Sequence, residues 1–184
     1  MDAFLTSTLL VAIAEIGDKT QLLSFVLAAR LRAPLAIICG IFVATVANHA
    51  LAGSVGAWVA TLLAPEVLRW LVGLGFIAFG LWALKPDTLE DEPSASRWGP
   101  FITATVAFFI AEMGDKTQLA TVALAARFDA LAPVVVGTTL GMMIANVPAV
   151  LVGSKLADRL PLGIIRWVAA GGFVATGLWT LWPR

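Results

Sequence analysis

Two short segments of the sequence carry the same acidic, basic and polar residues at the same spacing. They read EIGDKTQ at 15–21 and EMGDKTQ at 112–118, and together they hold four carboxylates, two amides and two hydroxyls, with no thiolate or imidazole. Such oxygen donors suit hard divalent cations like Mg²⁺, Ca²⁺ or Mn²⁺, whereas copper and zinc favour nitrogen or sulfur. The two lysines bring the formal charge to −2, which one divalent cation would balance. The predicted metal ligands are Glu15, Asp18, Thr20, Gln21, Glu112, Asp115, Thr117 and Gln118.

The spacing within each motif predicts how these side chains meet. In an unbroken helix Glu15, Asp18 and Lys19 would share one face, because residues i, i+3 and i+4 are neighbours. Thr20 would then point away from them. Gly17 favours a break in the helix that would turn Thr20 and main-chain carbonyls inward, and Gly114 has the same position in the second motif.

The lysines of the motifs, Lys19 and Lys116, have two possible roles. We favour structural counter-ions that hold the empty carboxylates apart over direct proton carriers. Acid–lysine pairs can also simply join helices. Two near-identical copies, however, favour an ion pathway over that simpler interpretation.

Other polar residues lie within apolar stretches. Asn48 and Asn146 align between the two motif-bearing halves after a one-residue shift, and amides at such positions usually form hydrogen bonds between helices, so direct ligation is the less favoured alternative. His49 has Val147 as its counterpart, which favours helix packing over a role as ligand or proton relay. Cys39 is the single cysteine, which excludes a disulfide framework and predicts a small packed hydrophobe.

The composition indicates the environment of these charges. The chain has 184 residues, of which 60% are hydrophobic and 13% charged, with a mean hydropathy of +0.93. Soluble domains are roughly 45–50% apolar and about 25% charged. A chain this short cannot bury so much apolar surface in a water-soluble core, so the surplus must face lipid. The net charge is zero and there is no basic run, so nucleic acid is not expected as a partner.

Six apolar stretches are long enough to cross a bilayer, which takes about 20 residues. They are Phe4–Ala29, Pro34–Leu63, Val67–Leu84, Phe101–Ala126, Pro133–Leu156 and Leu162–Trp182. The motifs fall in the middle of the first and fourth stretches, where each charge costs roughly 2.5–3.5 kcal/mol. The acidic segment 85–98 is predicted to be a solvated linker rather than a calcium site, and it separates residues 1–84 from 99–184 within one membrane domain.

The two halves are copies of each other. Residues 14–31 match 111–128 at 12 of 18 positions, and residues 69–86 match 166–183 at 10 of 18, both at an offset of 97. Because each half has three spans, an odd number, the second copy must begin on the opposite side of the membrane. The sequence therefore predicts an all-α membrane protein of two inverted three-helix repeats, an architecture typical of transporters with a site at the midplane.

Basic residues in the loops predict the orientation. Loops 1–2, 3–4 and 5–6 hold seven lysines and arginines, and the other side holds three. Since cytoplasmic loops are enriched in Lys and Arg, we expect both termini to lie outside.

The paired Glu-x-Gly-Asp-Lys-Thr motifs, at 15–20 and 112–117, resemble the signature of the Gdt-type cation exchangers, which include the Golgi transmembrane protein 165 and bacterial and chloroplast members. The resemblance covers the whole chain. It implies export of Mn²⁺ or Ca²⁺ from the cytosol in exchange for protons, with Glu15, Asp18, Glu112 and Asp115 lining the ion site. The chain lacks the N-terminal extension and long linker of the eukaryotic members, which favours a bacterial plasma-membrane version.

Two other classes of protein remain as alternatives. A passive cation channel could use the same acids. An intramembrane lipid-phosphate hydrolase would need arginines to clamp phosphate, but every arginine here lies at a span end or in a loop. We expect a transporter rather than an enzyme, with the divalent cation and the bilayer as partners and with no cofactor. The sequence predicts no oligomeric state.

Overall fold

The computed structural model describes residues 1–85, 98–152 and 162–182, and within these ranges the chain is helical with no strand. The first half contains α1 (Asp2–Glu15), α2 (Lys19–Leu31), α3 (Pro34–Leu62) and α4 (Pro65–Ala83). The second half contains α5 (Gly99–Glu112), α6 (Lys116–Phe128), α7 (Leu131–Val152) and α8 (Leu162–Leu181). Most of the predicted linker, 86–97, lies outside the described residues, as do the last residues of the fifth predicted span.

The first and fourth predicted spans are each divided into two helices. In the first half α1 ends at Glu15 and α2 begins at Lys19, and between them Gly17 has a φ of +81°. In the second half α5 ends at Glu112, α6 begins at Lys116, and Gly114 has a φ of +76°. Glycine adopts this left-handed conformation without the steric cost that a Cβ would add. The predicted breaks are therefore confirmed.

Three helices are long and apolar enough to cross a membrane: α3, α4 and α7. Shorter apolar helices are found at α5 and over Trp167–Leu181 of α8. Pro34 and Pro65 begin α3 and α4, where the missing amide proton removes no helical hydrogen bond. Many large apolar side chains on these helices are exposed, as expected for surfaces that face lipid.

The two halves interlock through their longest helices. Helix α1 packs along α7, α5 packs along α3, and α3 and α7 also contact each other. Glycines permit this close approach: a Cβ on Gly40 would lie 2.7 Å from the Phe101 carbonyl oxygen, and one on Gly137 would lie 2.6 Å from that of Phe4. These two contacts are related by the 97-residue offset, so each half provides the same groove to the other.

The last helices of the halves, α4 and α8, pack on each other to form a pair, which we call the α4–α8 pair. Phe76 and Phe173 stack in its centre with ring centroids 6.4 Å apart. The pair also packs on α1 and α6. Among the described residues, the related contacts of α8 with α2 and of α4 with α5 are at most marginal, so the pair covers one side of the molecule.

Candidate metal centre

The two motif loops have the same main-chain geometry. The Gly17 N–H donates to Gln21 Oε1 at 2.8 Å, and the Gly114 N–H donates to Gln118 Oε1 at 2.7 Å. In both loops the aspartate N–H donates to the glutamate carbonyl at 3.1 Å. Each glutamine therefore accepts a main-chain hydrogen bond that holds its own loop closed.

Carboxylates from both loops meet in the interior. Glu15, Glu112 and Asp115 each provide one oxygen, and these oxygens lie within 4.8 Å of one another. The two glutamates are fully buried and Asp115 is 3% exposed. Glu15 Oε1 and Glu112 Oε1 have no hydrogen-bond partner among the described residues. This group, which we call the carboxylate cluster, thus has oxygen atoms available for a ligand.

The lysines cross between the loops. Lys19 Nζ lies 3.0 Å from Asp115 Oδ1, and Lys116 Nζ lies 2.7 Å from Asp18 Oδ1. Each lysine thus contacts the aspartate of the other motif. Their assignment as counter-ions stays a prediction, which these reciprocal ion pairs support.

The threonine hydroxyls face the acids. Thr20 Oγ1 donates to Glu15 Oε2 at 2.5 Å. Thr117 Oγ1 lies 3.3 Å from both Glu112 Oε2 and Asp115 Oδ2. The expected inward turn of Thr20 is therefore observed, and it follows from the break at Gly17.

The amide side chains connect the halves rather than contact the carboxylates. Gln21 Nε2 donates to the Ala145 carbonyl at 3.1 Å, and Gln118 Nε2 lies 3.4 Å from Asn48 Oδ1. Asn48 Nδ2 donates to the Phe109 carbonyl at 3.1 Å. These contacts favour the structural role over direct ligation for Asn48.

Asn146 joins helices through Ser24, a residue that lies outside the paired motifs. Its Oδ1 accepts a hydrogen bond from Ser24 Oγ at 2.7 Å, and its Nδ2 donates to the Met142 carbonyl at 3.1 Å. Ser24 and Thr121 are 97 positions apart, so both halves have a hydroxyl residue at this place. That match between the halves is the sequence feature that could have identified Ser24.

His49 lies outside this network. It is fully buried, and neither ring nitrogen has a hydrogen-bond partner among the described residues. Next to the site, a narrow pocket between Lys85 at the end of α4 and Asp18 approaches the Lys116 ion pair. This pocket has a volume of only about 10 Å³, so the packing leaves little space above the Lys116 ion pair.

Comparison with known proteins gives the class of this helical protein with its clustered buried acids. The chain belongs to the GDT1 family: the family described as "Divalent cation/proton antiporter GDT1" matches residues 3–91 and 100–184. The resemblance inferred from the paired motifs is thereby confirmed. Together with the apolar helices, this family membership makes the chain a membrane protein.

Individual relatives extend this result. The chain is 53% identical over 181 residues to a Vibrio cholerae protein named "Putative manganese exporter", covering 98% of this chain and 90% of the relative. It is 30% identical to GDT1-like protein sll0615 of Synechocystis, with 87% of each chain covered. It is also 27% identical to GDT1-like protein 5 of Arabidopsis thaliana, over 98% of this chain and 96% of that one. No solved structure matches the chain.

Proposed function

We propose that this chain is a secondary active transporter that exports Mn²⁺ from the cytoplasm in exchange for protons, with Ca²⁺ as a second possible substrate. The observation that carries the proposal is the buried carboxylate cluster, in which two glutamate oxygens have no hydrogen-bond partner among the described residues. The name of the Vibrio relative favours manganese. Calcium stays possible because it accepts the same carboxylate and carbonyl ligands.

The carboxylate cluster is slightly wider than a site that holds a divalent cation. An ion at the centre of three oxygens spaced by 4.8 Å would be at most about 2.8 Å from each, somewhat beyond the 2.3–2.6 Å typical of calcium. A small inward movement of Glu15, Glu112 and Asp115 would close that gap. Thr20 and Thr117 already hydrogen-bond to the acids, and Asp18 is the fourth candidate ligand, released when Lys116 moves.

Proton exchange follows from the same acids. Metal ions bind carboxylates in their deprotonated form, so metal binding and proton binding compete for the same oxygens. A buried cluster that loses its cation without gaining a positive charge would leave like charges facing each other. Protons that replace the cation remove this repulsion, and metal binding then releases them on the other side.

The architecture that we propose has six spans in two inverted repeats, with the broken helices α1–α2 and α5–α6 each forming one span. The twin loop geometry and the reciprocal grooves at Gly40 and Gly137 support it. The start of α1, the start of α4, the end of α6 and the end of α8 line one common cleft. The proposed topology puts these four ends on the outside of a bacterial inner membrane, with both termini.

The α4–α8 pair supplies the element that alternates. It covers Ala126 of α6, which is 5% exposed, while the counterpart Ala29 of α2 is exposed. Similarly, Ile13 of α1 is partly buried and its counterpart Ile110 of α5 is 66% exposed. Because the halves have the same sequence pattern, we propose that the pair moves to the α2–α5 side in the opposite state. Access to the acids would then change sides.

Uptake into proteoliposomes tests this function. Mn²⁺ and Ca²⁺ flux would be measured with and without an imposed pH gradient, for the original sequence and for Glu15→Gln, Glu112→Gln, Asp18→Asn and Asp115→Asn. We expect flux that follows the gradient and falls to the level of empty liposomes in these variants. The matched control is Glu66→Gln, since the Glu66 side chain is 77% exposed and lies at the start of α4.

Three results would contradict the proposal. Flux that ignores the pH gradient would favour a channel or another counter-ion. Full flux in Glu15→Gln and Glu112→Gln would remove the carboxylate cluster from the pathway. Absence of any flux in a folded preparation would reopen the enzyme interpretation.

A further inference from the structure

A second charged cavity lies away from the carboxylate cluster, at the common helix ends described above. This cleft has a volume of about 500 Å³. Among the described residues, its charged lining residues are Arg69, Arg127 and Asp2, which give a formal charge of +1. A cleft with two guanidinium groups repels the divalent cation that the acids attract. Its charge therefore calls for an anionic ligand.

The two arginines come from different halves and are positioned differently. The Arg127 guanidinium carbon lies 3.8 Å from the ring centroid of Trp179 and 4.8 Å from that of Phe128, so aromatic faces hold it in place. Arg69 pairs with Glu66 at 3.6 Å, but Glu66 is largely exposed, and such pairs contribute little. Arg69 Nε is buried and has no hydrogen-bond partner among the described residues.

The rim of the cleft is apolar and aromatic. Trp179 and Trp182 line it and are 45% and 73% exposed, and Trp70 beside Arg69 is also exposed. Tryptophans at helix ends are typical of the level where lipid headgroups meet the hydrocarbon. Guanidinium groups match phosphate geometry, so two arginines beside these tryptophans can recognise the phosphate of a lipid headgroup.

We propose that this cleft binds the phosphate group of an anionic phospholipid, with Arg127 and Arg69 as the phosphate ligands. The acyl chains would extend from the aromatic rim over the exposed apolar surface of α4 and α8. The headgroup would bridge α4 of the first half, which carries Arg69, and α6 of the second half, which carries Arg127. The site does not depend on the cation chemistry proposed above, because none of its residues belongs to the motifs.

Thermal unfolding of the purified full chain in detergent tests the site. Dioctanoyl phosphatidylglycerol would be titrated against the apparent Tm, with dioctanoyl phosphatidylcholine and inorganic phosphate as separate arms. We expect a saturable rise in Tm with phosphatidylglycerol alone, and at least about tenfold weaker binding in Arg127→Gln and Arg69→Gln, since hydrogen bonds to charged groups are strong. The matched control is Arg30→Gln, because Arg30 is the counterpart of Arg127 at the 97-residue offset and ends α2.

The same titration can overturn the proposal. Equal affinity in Arg69→Gln and the original sequence, or an equal loss in Arg30→Gln, would remove these two arginines as ligands. An equal Tm rise with inorganic phosphate would identify a free anion rather than a lipid as the occupant. If Arg127→Gln does not fold, Arg127→Lys keeps the charge without the planar fork, and an unchanged affinity there and in Arg69→Gln would contradict phosphate recognition.

Discussion

The two motif loops have nearly the same sequence and the same backbone, yet their side chains have different surroundings. The Lys19 side chain is 25% exposed, whereas that of Lys116 is 5% exposed. Thr20 makes one short hydrogen bond to Glu15, while Thr117 divides longer contacts between Glu112 and Asp115. The loop conformation therefore follows from the motif, and the environment follows from what packs on it.

The α4–α8 pair accounts for this difference. It packs on α1 and α6, so it covers Lys116 at the start of α6. Ala83 of α4 and Ala169 of α8 line the same small pocket as Lys116. The equivalent surface on α2 and α5 has no such cover among the described residues, and Lys19 is partly accessible. A protein made of two like halves thus has one more covered and one less covered side. That inequality is what a transporter needs in order to face one compartment at a time.

Locking the α4–α8 pair should have the largest effect. A Cβ on Gly172 of α8 would lie 3.3 Å from Leu10 of α1, whereas a Cβ on Gly75, its counterpart in α4, would meet no atom of the described residues within 4 Å. In a background with Cys39→Ala, we expect a short thiol cross-linker to join Leu10→Cys to Gly172→Cys and to stop transport until the linkage is reduced.

The matched pair, Gly75→Cys with Ala107→Cys, represents the opposite state. We expect it to cross-link slowly in the resting protein and faster during Mn²⁺ turnover. Cross-link yield is read on a gel without reference to transport, so it separates movement of the pair from cation flux. If neither pair cross-links more during turnover, or if the linked 10–172 protein transports normally, the pair is a fixed element.

Neutralising the buried lysine should have the next largest effect. Lys116→Gln leaves the nearly buried Asp18 without the cation that lies 2.7 Å away, and removing one partner of a buried pair costs about 3–5 kcal/mol. Lys19→Gln should cost less, because Lys19 is reached by water that can screen the loss. Denaturant unfolding of both variants in detergent measures the difference. Equal destabilisation would mean that the different exposure of Lys19 and Lys116 does not affect the stability of their ion pairs.

The sequence predicted the local features of this site because local residues determine them. The breaks at Gly17 and Gly114, the inward turn of Thr20 and the motif's match to its family all depend on residues a few positions apart. The partners of the lysines could not be predicted in this way. Lys19 follows Asp18 directly in sequence, yet its ion pair is with Asp115 of the other half, and only the packing of the halves determines that. The position of the α4–α8 pair on one side of the molecule could not be predicted either, because the repeated sequence is similar in both halves.

Substituting the loop glycines should affect both halves equally. Gly17→Ala and Gly114→Ala place a Cβ on residues with φ of +81° and +76°, which costs about 1–2 kcal/mol for an L-residue. At Gly114 no atom of the described part of the chain lies within 4 Å of the added Cβ, so the cost there comes from the backbone conformation and not from a tertiary clash. Unfolding free energies that match within error would confirm that the loops are equivalent, while a much larger loss at one loop would contradict it.

The smallest effect is expected from removing one hydrogen bond between the halves, and it is compared with a change to a hydrogen bond within a single helix. Ser24→Ala removes the 2.7 Å hydrogen bond to Asn146 Oδ1, which joins α2 to α7, and should destabilise the protein by about 0.5–1.5 kcal/mol. Its counterpart Thr121 donates to the Thr117 carbonyl of its own helix, so Thr121→Ser, which keeps the hydroxyl, serves as the matched control and should be nearly neutral. Because Ser24 lies on the less covered side, Ser24→Ala should also change the cross-linking rate of Gly75→Cys with Ala107→Cys. A stability loss without that change would mean that the Ser24–Asn146 bond supports the fold without influencing which side of the molecule is open.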